Sequence, residues 1–262
     1  MIIELAIYLA AGAIAGLLAG LLGIGGGLVL VPILSSVFLI YLDTPYIVHI
    51  AIATSLATIL VTSIGSVFSH HRHGAVNWRL IAIMLLGVSL GGFLGGWSGQ
   101  FFATAVLAIM FGLLEILIAL QLLIGKHPPP QRNLPGKLGL NTAGIGIGWL
   151  SSLLGVGGGS MLAPYFAFHN MTMRQAIATS SALAWPIALM GTLAYMIAGW
   201  KVADLPDYTL GFVYWPALLA IVSASTVMAY FGAKLTHRMP VKFLKQAFAI
   251  MLLLLGIKML FF

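Results

Sequence analysis

The sequence predicts an all-α, polytopic integral membrane protein. It is built from two inverted-topology repeats, each a re-entrant (or short) helix hairpin followed by three transmembrane helices. Three observations carry this prediction: an extreme apolar composition, an internal duplication and a one-sided distribution of basic residues. Of 262 residues, 61% are apolar and only 6% charged, against roughly 25% charged in soluble domains. With mean hydropathy at +1.10, too little polar side chain exists to coat a water-facing surface. A soluble enzyme, a nucleic-acid-binding domain and a disordered chain are thereby excluded. Cysteine is absent, which removes disulfides, thiolate metal sites and iron–sulfur clusters. The net charge of +7 reads as cytoplasmic loops in a chain this apolar. The start, MIIELAIYLAAG, has no basic n-region and reads as a retained segment, not a cleaved signal.

The duplication orders the elements. Residues 12–32 (GAIAGLLAGLLGIGGGLVLVP) and 144–164 (GIGIGWLSSLLGVGGGSMLAP) agree at 11 of 21 positions at a constant offset of 132. Shared hydrophobicity alone does not align the glycines and the closing Pro32 and Pro164. The segment AIATS recurs at 51–55 and 176–180, and weaker matches at offset 137 pair Trp78 with Trp215 and Gly95 with Gly232. The join at 126–137, KHPPPQRNLPGK, is polar and proline-rich and cannot be a membrane helix. The chain therefore divides into a first transmembrane repeat (1–125), a cytoplasmic linker (126–137) and a second repeat (138–262), together one membrane domain. In each half an apolar helix (about 5–22; 139–154) runs into the glycine cluster, and a short helix follows (about 28–42; 160–169). Three longer helices come next, at about 48–69, 79–98 and 101–124, then 175–199, 211–233 and 246–262. The helix at 160–169 reaches only about 15 Å, half of a roughly 30 Å hydrocarbon core. Each glycine cluster thus reads as the tip of a re-entrant hairpin. Two ordinary crossings joined by a tight surface turn are the other reading.

Sidedness follows from charge. If the N-terminus lies on one side, the loops on the other carry ten of the twelve basic residues, and the N-terminal side receives four of the five acids. The positive-inside rule makes the basic side cytoplasmic and both termini extracytoplasmic. Each half has an odd number of crossings, so the second inserts upside down relative to the first. That is the plan of many secondary transporters, with substrate at the midplane between the repeats.

The clusters GIGGG and GVGGG supply the candidate substrate site: Gly25, Gly26 and Gly27 in the first half, Gly157, Gly158, Gly159 and Ser160 in the second. Glycine permits positive φ and leaves amides uncovered. The helix that begins there has four amides without intrahelical partners, an anion site that needs no cationic side chain. Gly26→Val and Gly158→Val are expected to abolish transport, and Gly91→Ala, outside the nests, to cost much less. Hydroxyls of Thr54, Ser55, Thr179, Ser180 and Ser181 lie in apolar helices. They are candidate substrate donors or simple back-bonds to helix carbonyls. The ladders Gly12/Gly16/Gly20 and Gly87/Gly91/Gly95/Gly99 read as close helix packing, within the chain or in a homodimer. Glu115 is the one acid well inside a predicted span and is a candidate for proton coupling. His70, His71, Arg72 and His73 read as the cytoplasmic mouth, where they orient the chain and attract anions. No carboxylate or cysteine accompanies them, so they are not read as a metal site. Ser160 and His169 do not suggest a hydrolase: they should point different ways on one short helix, and no carboxylate orients them. No cofactor is implied.

On LLGIGGGLVLVP at 21–32, LLGVGGGSMLAP at 153–164, both AIATS segments and HHRHGAVNWR at 70–79, the chain resembles the TauE/SafE family over nearly its whole length. The resemblance implies a carrier in the cell membrane for a small sulfur-containing anion such as sulfite, a sulfonate or sulfoacetate. A clear second-half counterpart of HxRxGxVxW is not evident, GWKVADLPDY standing there instead. The expected function is a secondary transporter, exporter or permease, working by alternating access with a proton or sodium as possible coupling ion. A permease for another small anion or a metal ion, and a non-transporting structural subunit, are the alternatives.

Overall fold

The computed structural model describes residues 2–22, 26–124, 133–236 and 241–262. The first half contributes α1 (Ile2–Leu22), α2 (Gly27–Tyr41), α3 (Ile47–Arg72), α4 (Trp78–Gly99) and α5 (Thr104–Ile124). The second contributes α6 (Lys137–Leu153), α7 (Gly159–Phe168), α8 (Met173–Gly199), α9 (Trp215–Thr236) and α10 (Val241–Leu260). Each helix expected from the sequence is present. Local chemistry sets several starts. Asn77 Oδ1 accepts from Leu80 N at 3.0 Å to cap α4, and Thr172 Oγ1 accepts from Gln175 N at 3.4 Å to cap α8. Pro216 stands in the first turn of α9, where its missing N–H costs nothing. That helix starts four residues later than the sequence suggested, because Thr209–Leu210 (β1) and Val213–Tyr214 (β2) form a small antiparallel hairpin. Gly211, at φ +55°, opens its two-residue turn.

The packing repeats when the halves are exchanged. α1 lies along α9, and its counterpart α6 lies along α4; α3 faces α8, and α5 faces α10. Glycine sets these contacts. A Cβ at Gly12 or Gly16 would fall on the backbone of Ile221 or Ser225, and one at Gly87, Gly91 or Gly95 on that of Asn141, Ile145 or Trp149. These pairs advance together along both helices, so α1 runs parallel to α9 and α4 to α6. The ladders are close packing, and their partners lie in the same chain. Gly112 and Gly256 likewise meet each other's carbonyls where α5 crosses α10.

Two hydrogen bonds fix the ends. Thr44 Oγ1 donates to the Asp204 carbonyl at 2.7 Å, which joins the α2–α3 and α8–α9 connections. Arg174 donates to the His73 carbonyl at 3.2 Å, which joins the α3–α4 and α7–α8 connections at the opposite end. Asp43, Asp204 and Asp207 therefore gather at one end, and Arg72, Arg79 and Arg174 at the other. α3 runs from the acidic end to the basic end, and α8 runs back. Both are largely buried. The flanks carry exposed leucines such as Leu86, Leu117, Leu219 and Leu254, 64–68% exposed, which suits lipid and not water. Among the described residues, α3, α4, α5 and α8 are long and apolar enough to cross a membrane. At 15 and 10 residues, α2 and α7 reach only about 22 Å and 15 Å.

Candidate functional site

The two glycine clusters meet in the interior. A Cβ at Gly27 would run into the Gly155 carbonyl and lie 3.0 Å from Val156 Cα, so the tip of the first hairpin abuts the second. The Ile59 side chain, halfway along α3, lies against both Gly27 and Gly157, and Ile187, halfway along α8, lies against Gly158. The tips thus sit at mid-height of the two central helices. Gly25 lies outside the described residues.

The clusters differ in backbone. Gly155, Gly157 and Gly158 have φ of +74°, +73° and +81°, a left-handed region that glycine adopts without strain. Gly158 is the N-cap of α7, and its carbonyl accepts from Met161 N at 3.2 Å and Leu162 N at 2.8 Å. The amides of Gly157, Gly158, Gly159 and Ser160 make no backbone or side-chain hydrogen bond among the described residues. Ser160 Oγ is buried and unpartnered as well. Amides in this arrangement at a helix start form an anion-binding concavity. Gly26, in contrast, caps α2 with an ordinary right-handed φ of −76°. A Cβ there would make only van der Waals contacts, 3.5 Å from Leu30 and 3.6 Å from Ala15. The expected sensitivities are therefore redistributed. Gly27 is tightly enclosed and Gly26 has room, while Gly91, expected to tolerate alanine, touches the Ile145 backbone.

The repeated hydroxyls separate into two groups. Ser55 Oγ donates to the Gly155 carbonyl at 3.0 Å and so belongs to the tips. Thr54 Oγ1 accepts from Tyr214 N at 3.1 Å, and Thr179 Oγ1 accepts from Asn77 N at 3.1 Å. Each threonine thus holds the start of a helix of the other half, α9 or α4. Ser180 Oγ bonds back to the Ile177 carbonyl at 2.9 Å. Ser181 is buried.

The threonine bonds expose a motif that sequence reading missed. Gly74, Val76 and Trp78 correspond to Gly211, Val213 and Trp215 at offset 137. Both glycines have positive φ, +62° and +55°, and in both copies the residue before the tryptophan donates its amide to an AIATS threonine. The counterpart of GxVxW is GFVYW at 211–215, just past the end of the segment at 199–208 compared in the sequence. The Trp78/Trp215 match was the available signal.

At the basic end, His71 Nδ1 accepts from Trp78 Nε1 at 3.2 Å, His73 Nδ1 lies 2.8 Å from the Ser69 carbonyl, and Arg72 stacks 4.4 Å above the Phe68 ring. His70, half-buried, precedes them at the end of α3. Glu115 is fully buried on α5, beside the Gly112/Gly256 crossing, and neither carboxyl oxygen has a partner. A buried histidine not singled out in the sequence, His49, donates from Nε2 to the carbonyls of Gly99 at 3.2 Å and Phe102 at 3.1 Å. It closes the end of α4.

Comparison with known proteins agrees with this architecture. The family described as Sulfite exporter TauE/SafE matches residues 8–259. A Haemophilus influenzae protein is 34% identical over 253 residues, covering 95% of each chain. A Methanocaldococcus jannaschii protein is 29% identical over 251 residues, covering 95% of this chain and 92% of its own. Bacillus subtilis YunE is 27% identical over 275 residues, covering 95% of each. All three bear the name "Probable membrane transporter protein". No solved structure matches. The chain belongs to the TauE/SafE family of multi-pass membrane proteins.

Proposed function

We propose, with that family membership as premise, that this protein is a secondary transporter of a small sulfur-containing oxyanion such as sulfite or a sulfonate. The observation that carries the reading is the run of four unbonded amides at 157–160, with the spare hydroxyl of Ser160, at mid-height of α3 and α8. Such a site offers four amide donors and a hydroxyl that can donate as well. It suits an anion whose negative charge is spread over several oxygens, and a bare cation finds no carboxylate among the side chains named there, only neutral hydroxyls. The glycine tips are the ends of two re-entrant hairpins. The two halves are inverted repeats that alternate access by moving against each other. The opposite directions of α3 and α8, the paired packing and the exchanged threonine bonds support that plan. Four acids near the α1 start and the α2–α3 and α8–α9 connections support an extracytoplasmic face there. Glu115 carries the coupling proton in this reading. Proteoliposomes containing the protein are expected to take up labelled sulfite in counterflow, whereas chloride and acetate fail to compete. Equal uptake by empty liposomes, or competition by chloride, would refute the assignment.

A further inference from the structure

An open groove lies between the first turns of α4 and α6, at the basic end of the molecule. Its two lobes, about 320 and 430 Å³, share Arg79, Ile83 and Lys137. Leu80, Ile83 and Leu140 make an apolar floor, and the exposed Arg79 and Lys137 stand at its rim. Neither cation has an ion pair or a side-chain hydrogen bond among the described residues. The chain contains only five carboxylate side chains, all of them described. Asp43, Asp204 and Asp207 are at the opposite end. Glu4 is in the first turn of α1, beside the Tyr8–Tyr214 contact of that same end, and Glu115 is buried on α5. Two positive charges therefore face one groove that no acid of the chain neutralises. The first turn of α6, capped by Gly136, adds the positive end of its dipole to the same place.

The surroundings identify the occupant. Trp78 and Leu138, 50% and 80% exposed, flank the groove on a surface whose neighbours are lipid. Tryptophan at a helix end marks the level of headgroups. A free inorganic anion gains nothing from an apolar floor, whereas a phospholipid fills it with the first part of its acyl chains. Basic clefts between membrane helices suit anionic headgroups for this reason. We infer that the Arg79–Lys137 groove seats the phosphate headgroup of an anionic phospholipid, apart from the glycine tips.

The test uses the full-length protein in detergent micelles. Phosphatidylglycerol should raise its melting temperature by about 5 °C, while equal phosphatidylcholine or inorganic phosphate should not. The Arg79→Gln/Lys137→Gln double variant should lose that difference and keep its own melting point in phosphatidylcholine. A control with the same loss of charge, Arg72→Gln/Lys126→Gln, should keep it. An undiminished phosphatidylglycerol shift in the first double variant overturns the site. A shift of the same size with inorganic phosphate overturns the lipid. If the double variant does not survive purification, native mass spectrometry of the wild type decides. One phosphatidylglycerol retained against excess phosphatidylcholine, and lost in Lys137→Gln, supports the site. Equal retention of both lipids refutes it.

Discussion

Two threonine hydroxyls, 125 positions apart, take the same kind of bond in opposite directions: Thr54 receives Tyr214 N–H and Thr179 receives Asn77 N–H. Threonine to valine keeps the branched shape and removes the acceptor, which leaves a donor at a helix start without its partner. Each of Thr54→Val and Thr179→Val should therefore lower stability by about 1–3 kcal/mol, and Thr→Ser by much less. Thermal unfolding in a single detergent checks this, and equal melting points for valine and serine would remove the clasp. The glycines make a second contrast. A methyl at Gly27 meets backbone, and Gly158 needs φ of +81°, whereas Gly26 has neither constraint. Gly27→Ala and Gly158→Ala should weaken sulfite binding by at least about tenfold, a change of ~1.4 kcal/mol, while Gly26→Ala stays near wild type. Titrating monodisperse protein gives the answer, and wild-type affinity in Gly158→Ala would move the anion elsewhere. Glu115 has no partner to lose, so Glu115→Gln should fold normally. If that carboxyl carries the coupling proton, the variant exchanges substrate across the membrane but no longer accumulates it against a gradient. Undiminished accumulation would return Glu115 to packing.

Between elements, backbone contact decides which glycines matter. Gly91 on α4 touches the Ile145 carbonyl, yet Gly146, one position further along α6, has open space where its Cβ would stand. Gly91→Ala must push α4 away from α6 and should cost about 1–3 kcal/mol. Gly146→Ala should stabilise by roughly 0.5–1 kcal/mol, since glycine is the poorer helix former. Melting curves of the two variants should shift in opposite directions; a downward shift for both would mean that α6 repacks. Asn141 marks the same interface differently. Its Nδ2 donates to the Ile83 carbonyl at 2.9 Å and its Oδ1 accepts from Gly87 N at 2.9 Å, the two groups that bond each other in an uninterrupted helix. Hydropathy was enough to order the ten helices, because burial in lipid and protein demands long apolar runs whatever their neighbours. The role of Asn141 was not legible, because it depends on a helix 54 residues away. The exchanged threonine bonds span 102 and 160 residues and were hidden for the same reason. The glycine tips were legible as a pair because duplication repeats a backbone requirement, but the sequence could not reveal that the caps differ, Gly158 being left-handed at φ +81° and Gly26 right-handed at φ −76°.

At the scale of the whole molecule, charge and direction must agree. Arg72, Arg79 and Arg174 lie at one end and Asp43, Asp204 and Asp207 at the other, with α3 and α8 running oppositely between them. A membrane-spanning protein with this polarity should insert with its basic end in the cytoplasm, since basic residues near short loops resist translocation. The linker follows α5, whose 21 residues rise about 31 Å and are enough to cross the bilayer. Three crossings from the acidic end through α3, α4 and α5 bring the chain to the basic side, so the linker is expected in the cytoplasm. Tyr208, 77% exposed beside Asp207, lies at the far end. The chain contains no cysteine, so Gln131→Cys and Tyr208→Cys can each be labelled without background. In intact cells a membrane-impermeant maleimide should reach the cysteine at 208 and fail to reach that at 131, and permeabilisation should expose both. A molecule whose halves were inserted in the same direction would need an even number of crossings before the linker; the linker would return to the side of the N-terminus, and α8 would carry position 208 to the other side, which reverses the labelling. Labelling at 131 with protection at 208 in intact cells would therefore break the inverted arrangement that the proposed alternating access requires.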